Sequence, residues 1–298
     1  MHTSEDESRK VDLLWILAHP DDEAFGNSGV MTWARSQGLR CGLVCATRGE
    51  AGEISDHALA EPDILGAVRE GELRTAMSHV GLAELRILPF RDSGMAGTPQ
   101  NADPRSLEMA ADAGVIAFLT SHIRQLRPSM VMTFGPDGVY GHPDHVKIGR
   151  LAMDAVVLAA ETRLSGLGQP FRVTSMYHTA APREAIIAAS RRTGGPFSSV
   201  PPEALESLGV PSTEITHWFD VAQFLENKKR VIRSHATQIS HSGPFADLDQ
   251  PDAEAWLDHE QFVRMALPWD PERSASDHFD LLADQHPGTP FSVDSVRH

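Results

Sequence analysis

Apolar residues gather in short blocks through the first 180 positions, separated by longer stretches with apolar residues three and four apart. The blocks are DLLWILAH (12–19), RCGLVCAT (40–47), LRILPF (85–90), SMVMTFGP (129–136) and RVTSMYHT (172–179). Several are continuously apolar rather than alternating, which predicts strands covered on both faces. The intervening stretches, AFGNSGVMTWARSQG (24–38), EPDILGAVREGELRTAMSHVG (61–81), SLEMAADAGVIAFLTSHIRQL (106–126) and HPDHVKIGRLAMDAVVLAAETRL (142–164), predict amphipathic helices. Alternation of this kind implies right-handed crossovers and a mostly parallel sheet of about five strands between helices, a Rossmann-like three-layer α/β/α fold.

Beyond residue 180 the pattern weakens. RRTGGPFSSVPPEALESLGVPSTE (191–214) reads as a long loop with a short helix. FDVAQFLENKKRVIRSHATQI (219–239) has apolar residues at 221, 224, 225, 231 and 232 and predicts a one-faced helix. DAEAWLDHEQFVRMA (252–266) predicts one more helix in an otherwise acidic, irregular end. No internal repeat is visible. The expected organisation is a polar tail over 1–10 and a single domain over 11–298, with its core in 11–180 and a loop-rich C-terminal portion in 181–298.

Composition narrows the partners. With 26 basic and 41 acidic residues among 298, the chain carries a formal net charge of -15. That argues against nucleic acid, which is held by clustered Lys and Arg, and against anionic membrane surfaces. No run reaches the roughly 18 apolar residues of a membrane span. The first ten residues, MHTSEDESRK, are polar with no apolar segment behind them, so a cytoplasmic location is expected. Cys41 and Cys45, the only cysteines, fall on one face of an apolar block and read as small core residues in a reducing compartment. Exposed apolar loop positions leave room for a homo-oligomer.

The chemistry sits at strand ends. In a parallel sheet, ligands bind beyond the carboxyl ends of the strands near a topological switch point. The first block stops in LAHPDDEAFG (17–26), one histidine and three consecutive acids; the fourth stops in FGPDGVYGHPDH (134–145). If those strands are neighbours, both segments open into one crevice. His19, Asp22 and one of His142 and His145 would supply two imidazoles and a carboxylate, a set that suits zinc or ferrous iron with a position left for water. Asp21 would then be free to act as general base beside the ion. The histidine left over, His142 or His145, could be a further ligand; His142 in that position could instead donate to a developing oxyanion. His217, His241, His259 and His278 show no ligand-like spacing. No GxGxxG, GxxxxGK[ST] or GxSxG occurs, which disfavours nucleotide binding and serine hydrolysis.

AHPDDE (18–23) followed by GHPDH (141–145) resembles the LmbE/PIG-L family of zinc-dependent de-N-acetylases, which includes the mycothiol- and bacillithiol-pathway deacetylases. TRGEAGE (47–53), REGELRTA (69–76), FRDSGMAGTPQ (90–100) and the short HATQI (235–239) add to the likeness. It covers residues 12 to 180 well. The resemblance implies a hydrolase that removes acetate from an N-acetylated amino sugar or glycoside. It implies His19, Asp22 and His145 as zinc ligands and Asp21 as base. It further implies His142 as transition-state stabiliser, with Asp144 orienting that ring, and Tyr140 as a residue able to approach the carbonyl. Arg69 and Asp92 match residues that hold sugar or inositol hydroxyls. Arg48 is a weaker substrate contact, and His235 matches a position near the site wall although its place on a helix stripe also suits a core histidine. Alternatives are an amidase of thiol S-conjugates within the same family, and a metal- or sugar-binding protein without catalysis.

Overall fold

The computed structural model describes residues 10–191, 200–239 and 245–270. Most of the expected N-terminal tail, His241, His278 and the chain past 270 lie outside the described residues. In chain order the elements are β1 (Leu13–Leu17), α1 (Asp22–Gly26), α2 (Ser28–Ser36), β2 (Cys41–Cys45), α3 (Leu65–Val80), β3 (Glu84–Ile87), α4 (Asp112–Leu126), β4 (Met130–Phe134), α5 (Gly138–Gly141), α6 (Pro143–Ala160), β5 (Ser175–Ala180), α7 (Arg183–Ser190), α8 (Pro202–Leu205), β6 (His217–Asp220), α9 (Leu225–Ser234), α10 (Pro251–Leu257) and β7 (His259–Met265).

The sheet runs β3-β2-β1-β4-β5-β7-β6. Its first five strands are parallel; β7 joins β5 antiparallel, and β6 joins β7 antiparallel. β1, β2, β4 and β5 are buried along their whole length, as strands between two helical layers must be. Helices α4 and α6 pack together on one face, and α2, α3 and α9 on the other. Cys41 and Cys45 are free and buried in β2, and burial pushes the Cys41 thiol up to about 12, so both stay protonated.

β1 pairs with β2 on one side and β4 on the other, with Leu13 opposite Met130 and Trp15 opposite Met132. The chain order reverses at this point, so the segments after β1 and β4 face each other across the switch-point crevice.

Three expectations are corrected. Among the described residues the sheet has seven strands, because 217–220 and 259–265 are strands, and only Pro251–Leu257 of the expected 252–266 helix is helical. Likewise 219–239 begins as the end of β6, and the helix α9 starts only at Leu225. The expected 24–38 helix is two, broken at Asn27. The buried Asn27 side chain accepts from Trp15 Nε1 (3.1 Å) and Thr179 Oγ1 (2.8 Å) and donates to the Asp22 carbonyl (3.1 Å), pinning three elements instead of continuing a helix.

Candidate metal centre and active site

β1 ends at Leu17, and the chain turns through Asp21, which takes φ 110°, a rare backbone for an L-residue. That turn parts the three acids. Asp22 Oδ2 accepts the backbone N–H groups of Ala18 (3.1 Å) and His19 (2.6 Å), while its Oδ1 lies 3.1 Å from His145 Nε2. Asp21 points elsewhere, receiving Arg69 Nη2 at 3.0 Å. Glu23 folds back: one oxygen accepts the Asp21 N–H (3.0 Å) and the other sits 2.5 Å from His235 Nε2. Three adjacent carboxylates coexist because each is aimed at a different base.

The second segment is organised by a helix start. His142 is the N-cap of α6, its Nδ1 accepting the Asp144 N–H (3.2 Å), and Pro143 takes the first helical position, where a missing N–H costs nothing. The first turn then holds Asp144 and His145, both buried. His145 stacks flat on Phe134 (centroids 3.9 Å apart) and its Nδ1 meets the Gly138 carbonyl at 3.1 Å. In this bond Nδ1–H donates to the carbonyl, which leaves the Nε2 lone pair facing Asp22 and, at 3.1 Å, His19 Nδ1. His19 is fixed in the same way, with Nε2 3.1 Å from Asp144 Oδ2. The expectation that Asp144 orients the His142 ring is not what the geometry holds. Its carboxylate lies against His19 and takes both the N–H (2.9 Å) and the hydroxyl (2.5 Å) of Ser93; only its backbone meets His142.

The donors fit a metal. His19 Nδ1, His145 Nε2 and the Asp22 carboxylate converge at separations of 3.1 to 3.7 Å. Tetrahedral zinc with bonds of about 2.0–2.1 Å places its ligand atoms about 3.3 Å apart. His142 lies close by, and the ligand atoms of His19, His142 and His145 are all within 4.8 Å of one another. A second grouping, His19, Asp92, His142 and Asp144, is as compact, but its carboxylates are already occupied: Asp92 by the N–H groups of Gly94 and Ala51, Asp144 by Ser93. Asp22 turns Oδ1 toward His145 Nε2 (3.1 Å), while Oδ2, which holds the two backbone N–H groups, is the oxygen 3.7 Å from His19 Nδ1.

Charge points the same way. Burial alone would lower the His19 pKa, but Asp92, Asp144 and Asp22 around it raise it well above the ordinary value, so this spot favours a cation. Burial opposes ionisation of Asp22, yet the imidazoles of His145 and His19 hold its carboxyl well below the usual range. Burial pushes Asp21 up to about 6, against the pull of Arg69 and with a push from Asp22. His142 is driven down to about 4 by burial and by its neighbours His19 and His145.

Arg69, buried, also donates to the carbonyls of Gly49 (2.7 Å) and Pro20 (2.5 Å). Its slot exists because Gly49 (φ 66°) has no side chain: a Cβ there would lie 2.1 Å from the guanidinium. Asp92 approaches His19 Nε2 (3.5 Å) and His142 Nε2 (3.8 Å). Tyr140, 41% exposed at the rim, stands edge-on to His145 at 4.9 Å and follows Val139, whose φ of 65° is strained for a β-branched residue.

Comparisons agree with this construction. The sequence model of PIG-L, described as GlcNAc-PI de-N-acetylase, matches residues 14–156. A 1D-myo-inositol 2-acetamido-2-deoxy-alpha-D-glucopyranoside deacetylase of Rhodococcus jostii is 35% identical over 263 residues, covering 84% of this chain and 90% of its own length. Its Streptomyces griseus namesake is 36% identical over 292 residues, with 93% and 90% covered. The chain belongs to the PIG-L de-N-acetylase family. In fold alone, it also resembles the N,N'-diacetylchitobiose deacetylase of Pyrococcus horikoshii (TM-score 0.58, 21% identity, covering 85% of this chain and 83% of that one).

As a PIG-L member, the protein brings nine of the eleven sequence candidates to one crevice: His19, Asp21, Asp22, Arg69, Asp92, Tyr140, His142, Asp144 and His145. Two stand apart. Arg48 is paired with Glu70 (2.7 Å) and lines a separate polar cavity with Glu50 and Arg91. His235 is fully buried behind Glu23, out of reach of a ligand in the crevice. Glu23 and Ser93 had no assigned role in the sequence reading. The signal for Glu23 was present, since three like charges in succession require three partners. Ser93 follows Asp92 in what reads as a plain turn, and nothing in the sequence ties it to Asp144.

Proposed function

We propose that this chain is a single-domain, zinc-dependent hydrolase that removes the N-acetyl group from an N-acetylglucosaminyl inositol or a close N-acetylglucosaminide, releasing acetate and a primary amine. The observation that carries this reading is the division between adjacent acids: Asp22 faces two imidazoles while Asp21 turns aside and stays available for proton transfer. The names of the Rhodococcus and Streptomyces relatives support inositol as the aglycone. Among the described residues no helix is long and apolar enough to cross a membrane, and two buried free thiols suit the cytoplasm.

In this reading His19, Asp22 and His145 hold the ion, and ferrous iron is the alternative for the same donors. When bound, the metal supplies a Lewis acid that polarises the amide carbonyl and brings a water molecule towards ionisation near neutral pH. Asp21, ionised above about 6, takes the proton from the attacking water. His142 is neutral at that pH; because its Nδ1 accepts the Asp144 N–H, its proton is on Nε2, from which it donates to the carbonyl oxygen as negative charge develops there. Tyr140 is placed at the rim to add a second donor. When the C–N bond breaks, Asp21 returns its proton to the nitrogen. Arg69 holds Asp21 in position, and with Asp92 receives sugar hydroxyls; Glu23 and His235 keep the Asp21 turn in its strained form.

The test is primary-amine release from a panel of N-acetylglucosaminides with zinc supplied, and again with a chelator. Chelator-sensitive release, highest for the inositol glycoside, is expected. No release from any sugar, with zinc confirmed in the protein, refutes the reaction class.

A further inference from the structure

A cavity of about 280 Å³ opens directly onto the candidate metal centre. Asp22, His145 and Tyr140 line it, and the rest of its wall is largely apolar, with Phe25, Phe134 and Ala185 among its members. Asp21, Arg69, Asp92 and His142 do not line it. The crevice therefore has two unlike sides meeting at Asp22 and His145, one built of charged groups and the other of aromatic and small apolar side chains.

A scissile secondary amide is planar and trans, so the substituents on its carbonyl carbon and on its nitrogen leave in opposite directions. With the sugar amine on the charged side, the carbon chain of the acyl group enters the apolar side. An acetyl methyl occupies about the space of one water molecule, on the order of 30 Å³. An engineered apolar cavity of about 150 Å³ binds benzene, and this one is nearly twice that size. It is built for more than a methyl group.

We propose that the cavity is an acyl-chain subsite and that the enzyme cleaves N-acyl glucosaminides with linear chains of four to six carbons better than the N-acetyl compound. This rests on the de-N-acylation reading above and extends it to the acyl side. Phe25 and Phe134 are bound to the metal-ligand segments themselves, one in the helix that begins at Asp22 and the other stacked on His145. A filled cavity thus excludes water from the face of the reacting carbonyl.

The experiment is kcat/KM of the zinc-loaded full chain on two substrate series. One varies the acyl group (acetyl, butanoyl, hexanoyl) on methyl glucosaminide; the other keeps acetyl and lengthens the glycoside alkyl group. Burial of each methylene is worth up to about fourfold, so a rise of about tenfold or more from acetyl to hexanoyl is expected, with little change in the glycoside series. Ala185→Phe, which narrows the cavity, should lower the hexanoyl-to-acetyl ratio. Rates that fall with each acyl carbon overturn the acyl subsite and leave the deacetylase reading standing. A rise in the glycoside series alone also overturns it, giving the cavity to the aglycone. Absence of cleavage in every member refutes the underlying reaction instead. The wild-type series decides the matter even if the Ala185 variant does not fold.

Discussion

HPDD and HPDH differ by one letter, yet the protein uses them in opposite ways. After β1, His-Pro-Asp-Asp forms a strained turn ahead of a helix of five residues, and its acids fan outwards to separate bases. After β4, His-Pro-Asp-His is the capped start of an 18-residue helix, and its aspartate is buried under the histidine of the other segment. The first segment is held by tertiary partners from far along the chain, the second by the regular geometry of a helix N-terminus. A motif's letters specify which groups are present; the backbone that carries them decides which group touches which.

That contrast can be broken in order of expected effect. Asp21→Asn should retain zinc and lose on the order of 10²–10⁴ in kcat, the range for removing a general acid–base group. Metal content with turnover measured on the same preparation checks it, and a variant near the wild-type rate removes Asp21 from the chemistry. Asp144→Asn should do the reverse: because this carboxylate orients His19, zinc affinity should fall about tenfold to a hundredfold, with most of the turnover restored at saturating zinc. Competition against a chromophoric chelator measures this; unchanged affinity would return Asp144 to the role expected for it beside His142.

The smallest effect concerns pH. Asp21 must be ionised to accept a proton, so activity should rise with pH through its pKa and fall away below it. Burial sets that pKa near about 6, from an ordinary 3.8, and a cation beside Asp22 draws it down, so the acid limb of the loaded enzyme should lie between these values. Arg69 lowers the pKa, so Arg69→Met should move the limb upwards; a limb that stays in place or moves down separates Arg69 from Asp21.

The same contrast explains what the sequence made legible. β1, β2 and β4 are apolar on both faces, so their positions can be read directly, whereas the pairing of β1 with β4 was only a condition in the sequence and is supplied by the sheet. β7 could not be read, because Glu260 occupies one of its buried positions. Its carboxylate accepts the N–H groups of Gly29 and Val30 at the start of α2 and pairs with the fully buried Lys228 at 2.8 Å. An acid in the core breaks the alternation that marks a strand, and its reason lies over two hundred residues away. The break at Asn27 was hidden similarly, since its partners Trp15 and Thr179 are set by the sheet. Metal-ligand candidates were readable as residue types at strand ends, whereas Asp144 and Glu23 depended on side-chain directions.

The long reach of these contacts bears on how the chain is made. Glu23 leaves the ribosome more than two hundred residues before His235, and the start of α2 emerges 231 and 230 residues ahead of the carboxylate that caps it. During synthesis the acidic turn after the first strand therefore waits, self-repelling, for His235 at the end of α9, and the start of α2 waits for the last strand. A nascent chain halted at residue 180 would carry every candidate catalytic group and still lack the parts that hold the first of them in place.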